Sequence, residues 1–129
     1  MIQVIYVNVE KGYKPQVKRI EENIDTFYKM LNCDTIEMPQ REINGTYFTI
    51  ICDEEGALKN NPIISACSHK GEPMLVGNLI ITGLPDENGN LTGLSDKDVI
   101  LIMSKFRKTL LYHPEPSELK DGYMLFCEY

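Results

Sequence analysis

Apolar positions along the chain change their period several times, and each change predicts an element. The opening run Ile2-Gln3-Val4-Ile5-Tyr6-Val7 is β-rich and apolar on both faces, which predicts an interior strand. Gly12 and Pro15 punctuate a turn, and Gln16-Val17-Lys18-Arg19-Ile20 alternates as a half-buried second strand. Asn23 is then an N-cap for a helix whose stripe is Ile24, Phe27, Tyr28 and Leu31, ending near Asn32. Thr35 to Met38, interrupted by Pro39, leads through Ile43 to Asn44-Gly45, the dipeptide best suited to a type I′ hairpin turn. Thr46 to Cys52 is the clearest strand, closed by the polar turn Asp53-Glu54-Glu55-Gly56.

The second half is less regular. Asn60-Asn61-Pro62 predicts the start of a short helix over Ile63, Ile64 and Cys67. Pro73 to Thr82 reads as one strand with Gly77 at a bulge, and residues 83–94 as a Gly-rich surface loop. Ser95-Asp96-Lys97-Asp98 resembles a capping box with Asp in its last place. Val99, Ile102, Met103, Phe106 and Leu110 then predict a second amphipathic helix. A last strand, Tyr123 to Cys127, follows Pro114 and Pro116. The expected fold is α+β, a largely antiparallel β-sheet with two main helices packed on one face. No repeat or linker divides the chain, so residues 1–129 are expected to form a single domain.

Composition changes this picture little: 43% hydrophobic and 25% charged residues are ordinary for a globular domain. Charge changes it more. A net charge of −6 works against non-specific attraction to phosphate backbones, so direct nucleic-acid binding is not expected. The charge is uneven: residues 11–31 hold five Lys/Arg against three acids, and residues 102–112 hold Lys105, Arg107 and Lys108 with no acid. If these two basic segments met in space they would form an anion site. Lys105, Arg107 and Lys108, with the amphipathic rings of Tyr13 and Tyr112, are the candidate ligand-binding residues. As the end of the second helix, the three cations also suit the helix dipole.

Cys33, Cys52, Cys67 and Cys127 form no C-x-x-C pair and lie in apolar surroundings. They are expected to be reduced, buried and inert, in a cytoplasmic protein. The N-terminus lacks a basic leader before its apolar run, and no apolar run approaches the roughly 20 residues of a membrane span.

Catalytic and metal motifs are weak. Cys67-Ser68-His69, with Cys52, offers zinc-binding atoms but not the two ligand pairs that a structural zinc site uses. Neither His69 nor His113 sits in a cysteine-nucleophile signature. The loop at residues 83–93 precedes a helix but lacks a P-loop ending, and its acids would repel phosphate. No catalytic residue, cofactor or metal ligand is therefore assigned.

Two stretches carry a resemblance. One is Ile50-Ile51-Cys52-Asp53-Glu54-Glu55-Gly56, followed by Leu58 and Asn61-Pro62. The other runs Val76-Gly77-Asn78-Leu79-Ile80-Ile81-Thr82-Gly83-Leu84, then a polar loop and Gly93-Leu94-Ser95-Asp96-Lys97-Asp98. Together they resemble the domain of unknown function 3846 family of phages and bacterial mobile elements, over most of residues 1–108. Residues 109–129 depart from that pattern and are expected as a protein-specific C-terminal extension. The resemblance assigns no chemistry to any residue. Its setting implies a non-enzymatic binding protein in a bacterial host's cytoplasm, a counter-defence factor that sequesters a nucleotide immune signal or blocks a host defence protein. The expected partner is thus a small anionic ligand or a host protein, not a membrane, and the expected form is a small homo-oligomer. The alternatives are a small enzyme acting on a nucleotide-like ligand, or an accessory protein working through protein contacts alone.

Overall fold

Strand β1 (Ile2–Val7) is interior, as its two apolar faces require. It pairs antiparallel with β2 (Gln16–Ile20), Tyr6 opposite Gln16, and on its other side with β8 (Leu79–Thr82), Ile5 opposite Ile81. β8 in turn pairs with β5 (Thr46–Asp53), which carries β4 (Gln40–Ile43) and β3 (Ile36–Glu37) on its far edge. A second sheet has the order β7 (Pro73–Val76), β6 (Ile64–Cys67), β10 (Glu118–Phe126), β9 (Phe106–His113). Its β6–β10 pairing is parallel; all the others are antiparallel. The computed structural model describes residues 1–59 and 62–129. Among them the helices are α1 (Ile24–Leu31) and α2 (Asp96–Met103), with a short 3₁₀ turn at Gly56–Leu58.

Period-2 alternation divides the first sheet's side chains between two cores. Val4, Ile51 and Ile80 pack with Phe27 and Leu31 of α1 and with Leu91. Their neighbours Ile5, Ile50 and Ile81 pack with Ala66 and Leu125 of the second sheet and Ile102 of α2. The class is α+β with mainly antiparallel strands, as the sequence predicts. Within it the helices separate, α1 in one core and α2 in the other, because a second sheet supplies part of the cover expected from helices. Glu42 and Glu128 exchange backbone hydrogen bonds of 2.8 and 2.9 Å, which join the two sheets at one edge.

Elements with local signals appear where expected. Asn23 Oδ1 accepts the Thr26 amide at 2.8 Å, and Asn32 closes α1 in the left-handed region with φ of 52°. Asn44 and Gly45, with φ of 51° and 85°, join β4 to β5 in a two-residue turn. The capping box is complete: Ser95 Oγ accepts the Asp98 amide, and the Asp98 carboxylate accepts the Ser95 amide.

Four expectations are corrected. Asn60 and Asn61 lie outside the described residues, and Ile64 to Cys67 form strand β6, not a helix. Parallel pairing with β10 and antiparallel pairing with β7 satisfy its backbone, which outweighs the helix start read from Asn-Pro. Residues 73–82 are two strands in different sheets, broken where Gly77 takes φ of 80°. The second helix stops at Met103, and Phe106 to His113 form β9. Phe106 and Leu110 are four apart, which suits either period. β9's continuous register with β10, from His113 opposite Glu118 to Phe106 opposite Leu125, decides for the strand. Lys105, Arg107 and Lys108 therefore do not close a helix, and His113 stands at the end of a strand. β2 is an edge strand whose only buried residue is Ile20, so its half-buried reading is corrected as well.

Candidate functional site

The β1–β2 hairpin places the most distinctive surface chemistry. Tyr6 stands opposite Gln16 and Val4 opposite Lys18, so Tyr6 and Lys18 are diagonal neighbours on one face. The Lys18 ammonium lies 5.3 Å from the Tyr6 ring centre, within cation–π range. Tyr6 is fixed from below: its hydroxyl donates to the Met30 carbonyl of α1 at 2.7 Å and accepts from Asn8 Nδ2 at 3.2 Å. Burial holds that hydroxyl above its ordinary pKa; Asn8 pulls it down and the Glu10 carboxylate pushes it up.

The connecting loop is pinned at several points. Val9 is buried, and its amide donates to the buried Asn78 Oδ1 at 3.0 Å. The Asn8 side-chain oxygen accepts the Lys11 amide at 3.2 Å. Gly12 turns with φ of 64° against the backbone of Asp121 in β10. The outcome is a cleft of about 250 Å³ lined by Tyr6, Asn8, Lys11, Tyr13, Lys14, Gln16 and Lys18. Three ammonium groups and two phenols line it, with no carboxylate among them. Tyr13 is 58% exposed, so its ring is open to a ligand.

The five residues singled out from the sequence are not gathered in one place. Tyr13 belongs to this cleft. Lys105 lies in the turn after α2, where its carbonyl accepts the Phe126 amide at 2.9 Å. Arg107 places its guanidinium 4.9 Å from the Phe126 ring centre, and Lys108 stands opposite Tyr123. The Tyr112 hydroxyl is 3.0 Å from Ser117 Oγ, across the turn of the β9–β10 hairpin. The two basic segments thus do not form one pocket. The cleft residues Lys11, Lys14, Lys18 and Tyr6 are not among the five. The available signal was the charge excess over residues 11–31 together with the hairpin register.

Other candidate chemistry is dispersed. His69 Nδ1 lies 2.8 Å from Glu128 Oε1, which also accepts the His69 amide at 3.0 Å, so this histidine's partner is a carboxylate. These contacts with His69 lower the Glu128 pKa. His113 is buried, and its Nε2 has no hydrogen-bond partner among the described residues. In the Gly-rich loop, Asp86 Oδ1 accepts the Asn88 and Asn90 amides at 2.9 and 3.0 Å, while Gly83 and Thr92 close the base. That loop is a braced excursion with its acid turned on its own backbone.

All four cysteines are free thiols; Cys52, Cys67 and Cys127 are buried and Cys33 is half-buried. Burial pushes Cys52 up to about 12, with the Glu37 carboxylate adding to the effect. It pushes Cys127 up to about 11 against the opposing pull of Arg41. Unfolded thiols ionise near pH 8.5–9, so above that the unfolded chain loses protons that the folded chain keeps. The stability these two groups contribute is full below about pH 8.5 and is lost as pH rises towards 11 and 12. Urea midpoints should fall over that range, and a Cys52→Ala/Cys127→Ala variant should show a shallower fall. Equal slopes would contradict this assignment.

The family model described as Domain of unknown function (DUF3846) matches residues 2–109. The chain belongs to this family. The DUF3846 match spans the lysine–tyrosine cleft, both helices and the whole six-stranded sheet, and ends inside β9. No curated protein and no solved structure matches the chain. Among the described residues, no helix is long and apolar enough to cross a membrane.

Proposed function

We propose that this DUF3846 protein is a non-enzymatic binding protein that takes the anionic part of a nucleotide-class ligand in the cleft between β1, β2 and their connecting loop. The observation that carries this reading is the convergence of Lys11, Lys14 and Lys18 with Tyr6 and Tyr13, in a chain of net charge −6. Ammonium groups supply point charges for phosphate, and an exposed tyrosine ring supplies a stacking face for a base. At about 250 Å³ the cleft is smaller than the roughly 300–1,000 Å³ of pockets that enclose a whole ligand. It therefore suits a phosphate with one ring lying over Tyr13. In the phage and mobile-element setting of the family, such a protein serves as a cytoplasmic counter-defence factor, holding a host nucleotide signal away from its receptor.

Titration of the protein with inorganic phosphate and with AMP, followed by amide chemical shifts, tests this. Lys11→Ala/Lys14→Ala/Lys18→Ala should weaken both by about tenfold, the scale of three exposed charge contacts. Tyr13→Ala should weaken AMP more than phosphate, and added salt should weaken both. Unchanged affinity in the triple variant overturns the cleft. Loss confined to a Lys105→Ala/Arg107→Ala/Lys108→Ala variant moves the site to the α2–β9 segment. Recovery of chemically altered AMP replaces binding with catalysis.

A further inference from the structure

Strand β9 is the outer edge of the four-stranded sheet. The Phe126 amide donates to the Lys105 carbonyl at 2.9 Å, which sets the phase of the β9–β10 ladder. Arg107, Thr109 and Leu111 then turn their backbone groups to β10, while Lys108, Leu110 and Tyr112 turn theirs outward. Among the described residues, no backbone group outside β10 pairs with β9. Natural edges of this length are usually blunted by charged side chains, proline, a bulge or a covering segment, and of these β9 has only the charges of Arg107 and Lys108 near its start. β9 contains no proline, and its register with β10 is unbroken.

Its side chains point the same way. Leu110 and Tyr112 are two apart and so share a face of β9, with Leu119 opposite Tyr112 on that face. They are 55%, 54% and 60% exposed, apolar positions that run to the open edge beside the exposed Asp121 opposite Leu110. Read in reverse, Lys108-Thr109-Leu110-Leu111-Tyr112 is complementary to itself. With Leu110 opposite Leu110 of a second copy, each Lys108 falls opposite a Tyr112 and each Thr109 opposite a Leu111, and no like charges meet. Six outward backbone hydrogen bonds then form, from Lys108, Leu110 and Tyr112 of each copy. The chain already seats cations on rings in this way, at Lys18–Tyr6, Arg41–Tyr129 and Arg107–Phe126. An acidic strand would satisfy the charges but leave Leu110, Tyr112 and Leu119 uncovered.

We propose that a second copy of this chain adds antiparallel to β9, centred on Leu110, giving a two-fold dimer with one continuous eight-stranded sheet. This is independent of the ligand reading, since no cleft residue lies on β9. An interface built from one edge and a small apolar patch lies near the low end of the roughly 1,200–2,000 Å² of stable complexes. The equilibrium is therefore read by sedimentation of the full chain across a concentration series. Wild-type protein should move from monomer to dimer, and Leu110→Lys, which sets like charges together on the dyad, should raise the dissociation constant by about tenfold or more. Amide exchange of the wild type tests the same geometry without a variant. Lys108, Leu110 and Tyr112 should gain protection as concentration rises, whereas Arg107, Thr109 and Leu111 should be protected throughout. A monomer at every concentration overturns the proposal, as does a dimer indifferent to Leu110→Lys or one that leaves the outward amides unprotected. Protection of those amides only when polyglutamate is added would assign the edge to an acidic strand instead.

Discussion

Replacing Leu125 with alanine is expected to cost about 2–5 kcal/mol of stability, the range for truncating a buried leucine without collapse of the site. Leu125 is fully buried in β10, opposite Ala66 of β6 on one side and Phe106 of β9 on the other. It belongs to the core that also holds Ile5, Ile50 and Ile81 of the first sheet. Residues 109–129 supply β10 and five of the eight residues of β9, and within them Leu111, Leu125 and Cys127 are buried. Urea unfolding should therefore show one transition at a lower midpoint in Leu125→Ala. A midpoint within error of wild type would mean that the C-terminal hairpin is an appendage to a core complete without it.

Gly12→Ala should be nearly as damaging, by about 1–3 kcal/mol for strain and overpacking. Two independent demands meet at this residue. Its φ of 64° lies where a side chain is resisted, and a methyl group there would stand 2.5 Å from the Asp121 carbonyl oxygen. That neighbour is backbone in the middle of a paired strand, so it cannot rotate away as a side chain would. The loop must shift, and Tyr13 and Lys11 with it. Melting temperature and phosphate affinity should fall together in Gly12→Ala. By contrast Gly45→Ala, where nothing lies within 4 Å, should pay for its positive φ alone and leave phosphate affinity unchanged. Unaltered stability in Gly12→Ala would show that the loop is free to move.

Signals confined to a few neighbouring residues were readable from the sequence. Asn23 and Asn32 bound α1, Asn44-Gly45 marks its turn, and Ser95 with Asp98 starts α2, because each acts through its own backbone within four residues. Two kinds of information were not readable. The first is pairing across long separations: the parallel contact of β6 with β10 brings Ala66 to Leu125, and nothing near either residue announces it. The second is ambiguity of period: Phe106 and Leu110 serve a helix face or one side of a strand equally well. The same ambiguity bears on the candidate cations. Read as the end of a helix, Lys105, Arg107 and Lys108 suit its dipole together, whereas the strand turns Arg107 and Lys108 to opposite sides. Tyr13 is a candidate on composition alone, whereas Tyr6 and Lys18 become neighbours only through the register of β1 with β2.

The break at Gly77 has a consequence for how the molecule comes apart. Before it the chain lays down β6 and β7 of one sheet, and two residues later it enters β8, deep in the other. β9 and β10 then return to the first of these sheets. The two sheets are thus interleaved along the chain, and no single cut leaves both intact on separate fragments. Opening either sheet pulls on strands that hold the other, so neither can melt as a private foldon. Loss of structure should be cooperative over the whole chain, with local fluctuation confined to its turns.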